Sequence, residues 1–423
     1  MLLLRFISFL GLFFLLGIAW LISNNRRKIN FRTVGWGLAL QAVFAGLILK
    51  TGPGRQVFFF FREVINQLLG FTDAGASFLF GNLYRGDPGV VQQLGGPGPM
   101  QLWDSSAHQF VNIGVVFAFH ILPTIIFFAS LMSVLYHLGV MQKIVEGFAW
   151  LMSKFMQTSG AESLSAASNI FVGQTEAPLV VRPYVPTMTM SELMAIMTGG
   201  FATIAGGVMA AYVRFGVDAG HLMAASVMSA PAALVVAKII YPETEEPKTM
   251  GEVKLAVEKT TANVIDAAAA GAADGLKLAL NVGAMLMAFL SLIAMINYGL
   301  GWFHTSLREV LGYAFSPIAF FLGVPWKDIL EMGNLLGTKI SINEFVAFVE
   351  LAQVKSQIDP RTFVIATYAL CGFANFGSIA IQIGGIGGIA PSRRSDLAKL
   401  GLRAMFGGAL ASWMTACIAG ILI

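Results

Sequence analysis

Eight stretches of this chain are apolar over about the twenty residues a helix needs to cross a bilayer: 2–23, 33–50, 110–136, 190–213, 219–240, 278–303, 361–383 and 404–423. That pattern points away from a water-soluble fold, and composition agrees. Of 423 residues, 56% are hydrophobic and 12% charged, about half the ~25% usual in soluble domains. So few charges cannot coat a surface facing water, and lipid is the natural solvent for most of it. The chain reads as an all-α integral membrane protein with about eight full transmembrane helices. Several function classes fall away. A net charge of +4, scattered along the chain, is no nucleic-acid footprint. Cys371 and Cys417, both in apolar context, make neither a disulfide framework nor a zinc site. The five histidines lie far apart with no pair at ligand spacing, which argues against a metalloenzyme.

The flanks of the spans suggest an orientation. Residues 1–23 are followed, not preceded, by the basic cluster Arg26, Arg27, Lys28, so they read as a retained first helix rather than a signal peptide. Lys238, Lys248, Lys254 and Lys259 surround a polar linker at 241–262, and Arg393, Arg394, Lys399 and Arg403 precede the last span. Basic residues near span ends favour the cytoplasm, which leaves both termini outside it. Segments 57–69 and 71–84 suit elements lying at the interface. Residues 85–104, rich in Gly and Pro (Gly95 to Pro99), form an exposed loop. The run 263–303 is helical throughout and too long to span once without tilting or projecting. Gly384 to Gly388 lacks the Lys-Ser/Thr of a phosphate loop and reads as a flexible turn.

Two apolar stretches are broken at their centres. One, 163–187, holds Gly173-Gln174-Thr175-Glu176-Ala177-Pro178; the other, 328–353, holds Lys339 and Asn343-Glu344-Phe345. Arms this short enter the bilayer and return, and irregular backbone at that depth survives only when buried in protein or lining a wet cavity. Both read as re-entrant helical hairpins. Each is followed by an interrupted span opening on Gly-Phe-Ala, at Gly200-Phe201-Ala202 and Gly372-Phe373-Ala374, and then by an intact one. Counting crossings puts the two copies in opposite orientation. Inverted repeats with paired broken helices are the signature of a secondary transporter with its site at the repeat interface.

Glu176 and Glu344 are the sharpest feature, because a carboxylate at the bilayer centre costs about 2.5–3.5 kcal/mol on the insertion scale. Three readings stand: hairpin caps, a proton relay, or ligand binding. The third is favoured by the neutral amides and hydroxyls around them, Gln174, Thr175, Asn343, Asn375 and Ser378, a set suited to a hydroxyl-rich neutral solute with amide-like edges. Lys339, the cation nearby, either pairs with a glutamate or faces solvent. Phe201, Phe373 and Phe376 read first as packing, with Phe373 foremost if one stacks on a flat ring. Asn169 and Thr203, with exposed carbonyls of unwound backbone, offer oxygens to a hard cation; Asn169 as a plain hairpin cap is equally open. A channel or an intramembrane enzyme are the rival classes.

The motifs Gly-Gln-Thr-Glu-Ala-Pro at 173–178, Asn343-Glu344-Phe345-Val346-Ala347, Cys371 to Ser378, and Asn263 to Gly271 leading into Asn281-Val282-Gly283-Ala284 resemble those of the concentrative nucleoside transporter family, in a bacterial form. The resemblance runs from about residue 30 to the end. It implies a homotrimer of elevator type that imports nucleosides such as uridine across the inner membrane with Na⁺, or in some relatives H⁺. Residues 1–137 and 263–303 would be scaffold; 138–240 and 304–423 would be the two repeats of a moving transport domain. Gln174 and Thr175 would contact the nucleobase directly and Glu176 through water, Val208 and Phe373 would flank it, and Glu344, Asn375 and Ser378 would bind the ribose hydroxyls. Asn169, the Val172 carbonyl, Thr203 and the Ile204 carbonyl would hold Na⁺.

Overall fold

The computed structural model describes residues 1–84, 101–104, 109–112, 116–251 and 261–423. Seven of the helical segments among them are long and apolar enough to cross a membrane. The first two are α1 (Leu2–Leu21) and α2 (Phe31–Lys50). Next comes α3 (Gly52–Phe80), one unbroken helix where two interfacial pieces were expected. Its Thr51 cap accepts from Gly54 N–H at 3.0 Å, and no proline follows its first turn to stop it. The expected loop and the start of the 110–136 span hold a short antiparallel ribbon, β1 (Gln101–Asp104) and β2 (Gln109–Asn112); the third crossing begins only at α4 (Phe117–His120) and continues as α5 (Leu122–His137). Residues 85–100, with Arg85 and the Gly/Pro run, and Lys254 and Lys259 lie outside the described residues.

The first repeat contains α6 (Val140–Met156), the first hairpin arm α7 (Gly160–Ser168), the half-helices α8 (Met190–Ala202) and α9 (Gly206–Arg214), and the intact α10 (Ala219–Ile240). The hairpin's second arm is not α-helical. Ala177–Val181 and Val185–Thr187 are 3-10 turns, because Pro178, Pro183 and Pro186 remove successive N–H donors. The long helix α11 (Val264–Leu300) is continuous over 37 residues, roughly 56 Å at 1.5 Å per residue. The second repeat follows: α12 (Leu307–Phe321), the hairpin arms α13 (Ile329–Ser341) and α14 (Glu344–Val354), the half-helices α15 (Pro360–Leu370) and α16 (Phe376–Ile389), and the intact α17 (Arg394–Leu422). The Gly384–Gly388 run lies inside α16 rather than in a turn. Bare backbone there lets the first hairpin approach: a Cβ on Gly385 would sit 3.2 Å from Thr175 Cγ2.

Hydrogen bonds fix the topology. Arg5 Nε donates to the Ile423 carbonyl at 2.9 Å, so both termini share one face; Asn24 N–H donates to Ile240 O at 3.0 Å and Arg393 Nη1 to Met188 O at 2.5 Å on the other. Within 1–137 the crossings differ in what they pack against. α1 lies on α17 and α12, and α2 on α10 and α17, with Gln41 Nε2 donating to Thr415 Oγ1 at 2.8 Å and Thr33 to the Met156 carbonyl at 2.9 Å. The third crossing packs on α11. There Ser130 donates to Ala268 O at 2.9 Å, and Gly271 and Gly275, spaced by four, let the two backbones meet. Small residues and polar side chains on α1 and α2 face the repeats, which is why these helices join them.

Candidate functional site

The two broken helices cross at their interruptions. Gly372, at φ +136°, lies so close to α8 that a Cβ would stand 2.7 Å from the Phe201 carbonyl oxygen. The Ser412 hydroxyl of α17 lies 2.7 Å from Cys371 O and 3.4 Å from Ala202 O, touching both break points. The shared Gly-Phe-Ala does not occupy equivalent places. Gly200–Ala202 is the last turn of α8, whereas Gly372–Ala374 lies in the unwound linker after α15.

Around this crossing runs one buried chain of hydrogen bonds. Glu344, 5% exposed in the first turn of α14, accepts from Tyr212 OH on α9 and from Asn375 Nδ2, each at 3.1 Å. The first-turn position suits a carboxylate, since the amide end of a helix carries partial positive charge. Asn375 Oδ1 caps α16 by accepting from Ser378 N–H at 2.8 Å. Ser378 Oγ in turn accepts from Gln174 Nε2 on the first hairpin at 3.1 Å, and Gln174 Oε1 accepts from Gln382 Nε2 at 3.1 Å. Gln174, Glu344, Asn375 and Ser378 are thus joined, and both repeats contribute. Asn343 caps α14 through Val346 N–H at 2.8 Å. Val208 is buried in the first turn of α9, and Phe373 is half-buried in the linker.

Glu176 stands apart. Its side chain is exposed, accepts from Thr175 Oγ1 at 3.0 Å, and among the described residues no hydrogen bond or ion pair joins it to Glu344. It lies two residues beyond Gln174 and within electrostatic reach of Tyr136 on α5. Lys339 does not face solvent. It is fully buried and donates to the Ala369 carbonyl at 2.8 Å. Two members of the network escaped the sequence reading. Tyr212 carries no signal, because a tyrosine in an apolar helix reads as packing. Gln382 had one: with Asn375 and Ser378 it falls at i, i+3, i+7, on one helical face.

The sites expected to hold a cation fit one. Asn169 is the C-cap of α7 and Thr203 that of α8, so both lie where helix ends expose carbonyls. Asn169 Nδ2 donates to Ser165 O at 3.0 Å, while its Oδ1 is buried without a partner, an omission that costs about 1–3 kcal/mol unless something fills it. The Thr203 hydroxyl donates to Gly199 O at 3.0 Å, which leaves its lone pairs available. Val172 and Ile204 lie in the unwound stretches after these two helices. All four would offer oxygen, the donor a hard cation requires.

Models of Na⁺ dependent nucleoside transporters match residues 10–83 (N-terminus) and 221–420 (C-terminus), and a nucleoside recognition model matches 118–219 between them. An uncharacterized transporter of Bacillus subtilis, YutK, is 44% identical over 98% of both chains. The chain belongs to the concentrative, Na⁺-dependent nucleoside transporter family. Sodium/nucleoside cotransporter 1 of Mus musculus is 42% identical over 99% of this chain and 64% of its own length. Among solved structures, CNTnw in an inward-facing substrate-bound state is 43% identical with a TM-score of 0.88, covering 100% of this chain and 98% of that one. A variant of CNTnw in an outward-facing state matches at 42% identity and the same score, over 99% and 97%. The family is one of transporters, not enzymes, and its architecture is the elevator type that the resemblance implied.

Proposed function

We propose that this chain imports nucleosides, uridine among them, across the inner membrane by coupling their entry to Na⁺. The observation that carries the reading is the buried network centred on Glu344. A carboxylate offers about four lone-pair sites, and Tyr212 and Asn375 use two. The remainder suit the vicinal hydroxyls of a ribose, with Asn375 and Ser378 completing the sugar contacts. Gln174 and Thr175 present amide and hydroxyl groups to the edge of the base, Glu176 reaches it through water from its exposed position, and Val208 and Phe373 flank its faces. The ammonium of Lys339 is committed to a carbonyl, so a phosphate finds no clamp there, and nucleosides rather than nucleotides are the cargo.

Na⁺ is held by Asn169, the Val172 carbonyl, Thr203 and the Ile204 carbonyl, and when bound it supplies positive charge at two helix ends and a downhill gradient. The unpartnered Asn169 oxygen favours Na⁺ over H⁺, because a proton needs a titratable group and this set has none. Basic residues on the face opposite the termini support a cytoplasmic linker and extracytoplasmic termini. The apolar, exposed flank of α11 (Met287, Leu290, Tyr298) supports a homotrimer in lipid. The test is uptake of labelled uridine into sealed proteoliposomes. Accumulation above the outside level is expected under an inward Na⁺ gradient and not under a proton gradient alone; mere equilibration would sink coupled transport.

A further inference from the structure

The two repeats build the same kind of junction twice and neutralise it differently. In the first repeat the C-terminal ends of α7 and α8 meet: a Cβ on Gly199 would lie 3.1 Å from Asn169 Nδ2, and Asn169 and Thr203 are the two C-caps. In the second, the corresponding ends are those of α13 and α15. Both junctions bring the carbonyl-bearing, negative ends of two helix dipoles together in a buried place, so both call for a cation. In the first repeat the neutral Asn169 and Thr203 leave that cation to come from outside. In the second, Lys339 sits in the last turn of α13 and donates from a fully buried ammonium to Ala369 O, in the last turn of α15, at 2.8 Å. Cys371, the C-cap of α15, and Glu344 lie within its electrostatic reach. Its contact is a carbonyl, as a metal ion's would be, and among the described residues no carboxylate lies within 4.0 Å of it.

We propose that Lys339 is a tethered cation that fills, in the second repeat, the place the first repeat gives to Na⁺, and that it thereby limits the carrier to a single coupling ion. This rests on the assignment of Na⁺ to Asn169 and Thr203. Lys339 is a positioning residue: it touches neither nucleoside nor Na⁺, but fixes the end of α15 from which the linker bearing Phe373 and Asn375 departs. Truncating it leaves the Ala369 carbonyl facing a hole with no charge in it.

The experiment measures labelled Na⁺ and labelled uridine uptake in the same proteoliposomes for wild type, Lys339→Ala and Lys339→Arg, with Na⁺-dependent thermal unfolding of each purified protein. Wild type is expected to move one Na⁺ per nucleoside. Lys339→Ala should take a second, raising the ratio about twofold, making Na⁺ activation sigmoidal, and gaining stabilisation by Na⁺ without nucleoside. Lys339→Arg should keep the wild-type ratio. A folded Lys339→Ala with unchanged ratio and unchanged Na⁺ stabilisation overturns the proposal. If that variant does not fold, the wild type decides: a ratio of two with Lys339 in place overturns it, and a ratio of one supports it. Asn169→Ala separates the underlying assignment. If its Na⁺ dependence is unchanged, that ion site is wrong, while extra Na⁺ uptake by Lys339→Ala would still support the tethered cation.

Discussion

At the residue scale, Glu344 is the side chain with least freedom to be anything else. A carboxylate in an apolar stretch has to be matched by donors, and that requirement made it legible in the sequence. Glu344→Gln keeps its shape but exchanges a charged acceptor for an amide. With charge-assisted bonds worth about 1.5–3 kcal/mol each, losing the two proposed to a ribose should lower uridine affinity by roughly a hundredfold or more. Isothermal titration measures it, and wild type should bind a 2′,3′-dideoxy analogue as weakly; equal affinity for uridine and that analogue would remove the ribose assignment. Tyr212→Phe is milder. Its ring stays stacked on Phe348 at 4.1 Å between centroids, and one hydrogen bond to Glu344 is lost, about 0.5–1.5 kcal/mol. KM for uridine should rise roughly two- to tenfold with kcat little changed. Nothing in the sequence marked Tyr212, because its value depends on where α9 lies against α14, a contact between residues 132 positions apart.

At the element scale, the hairpins and broken helices were legible because apolar runs with polar centres have few other homes in a membrane. Their internal form was less so. The prolines at 178, 183 and 186 were visible, yet the 3-10 geometry they impose on the second arm was read as helix. The glycines of 384–388 were read as a turn, although inside α16 they let the Thr175 tip approach. Gly-Phe-Ala marked both interruptions but not the same position in each, since five residues unwind after α15 and three after α8. Gly372 is where this geometry is tightest. Gly372→Ala puts a Cβ 2.7 Å from Phe201 O on a backbone that L-residues rarely adopt, which costs about 1–3 kcal/mol or more. Thermal unfolding in detergent should show a lowered Tm; an unshifted Tm would mean the crossing is looser than described.

At the scale of the whole molecule, which helices α1 and α2 would join was not legible in the sequence, because apolar spans advertise depth in the bilayer and not neighbours. The packing places them with the repeats and leaves α5 on α11. One hairpin carries the last structural consequence. Asn169 and Gln174 lie five residues apart on the unwound stretch after α7, so on the proposed assignment a single short strap would grip both the ion and the base. Any ordering that one ligand imposes on that strap is already in place when the other arrives. Thermodynamic reciprocity then requires the factor by which Na⁺ tightens nucleoside to equal the factor by which nucleoside tightens Na⁺. Titrating each ligand at fixed concentrations of the other should return one number twice, and Asn169→Ala should drive that number toward unity. Cargo and fuel would then be admitted together or not at all, with no separate gate to enforce the rule.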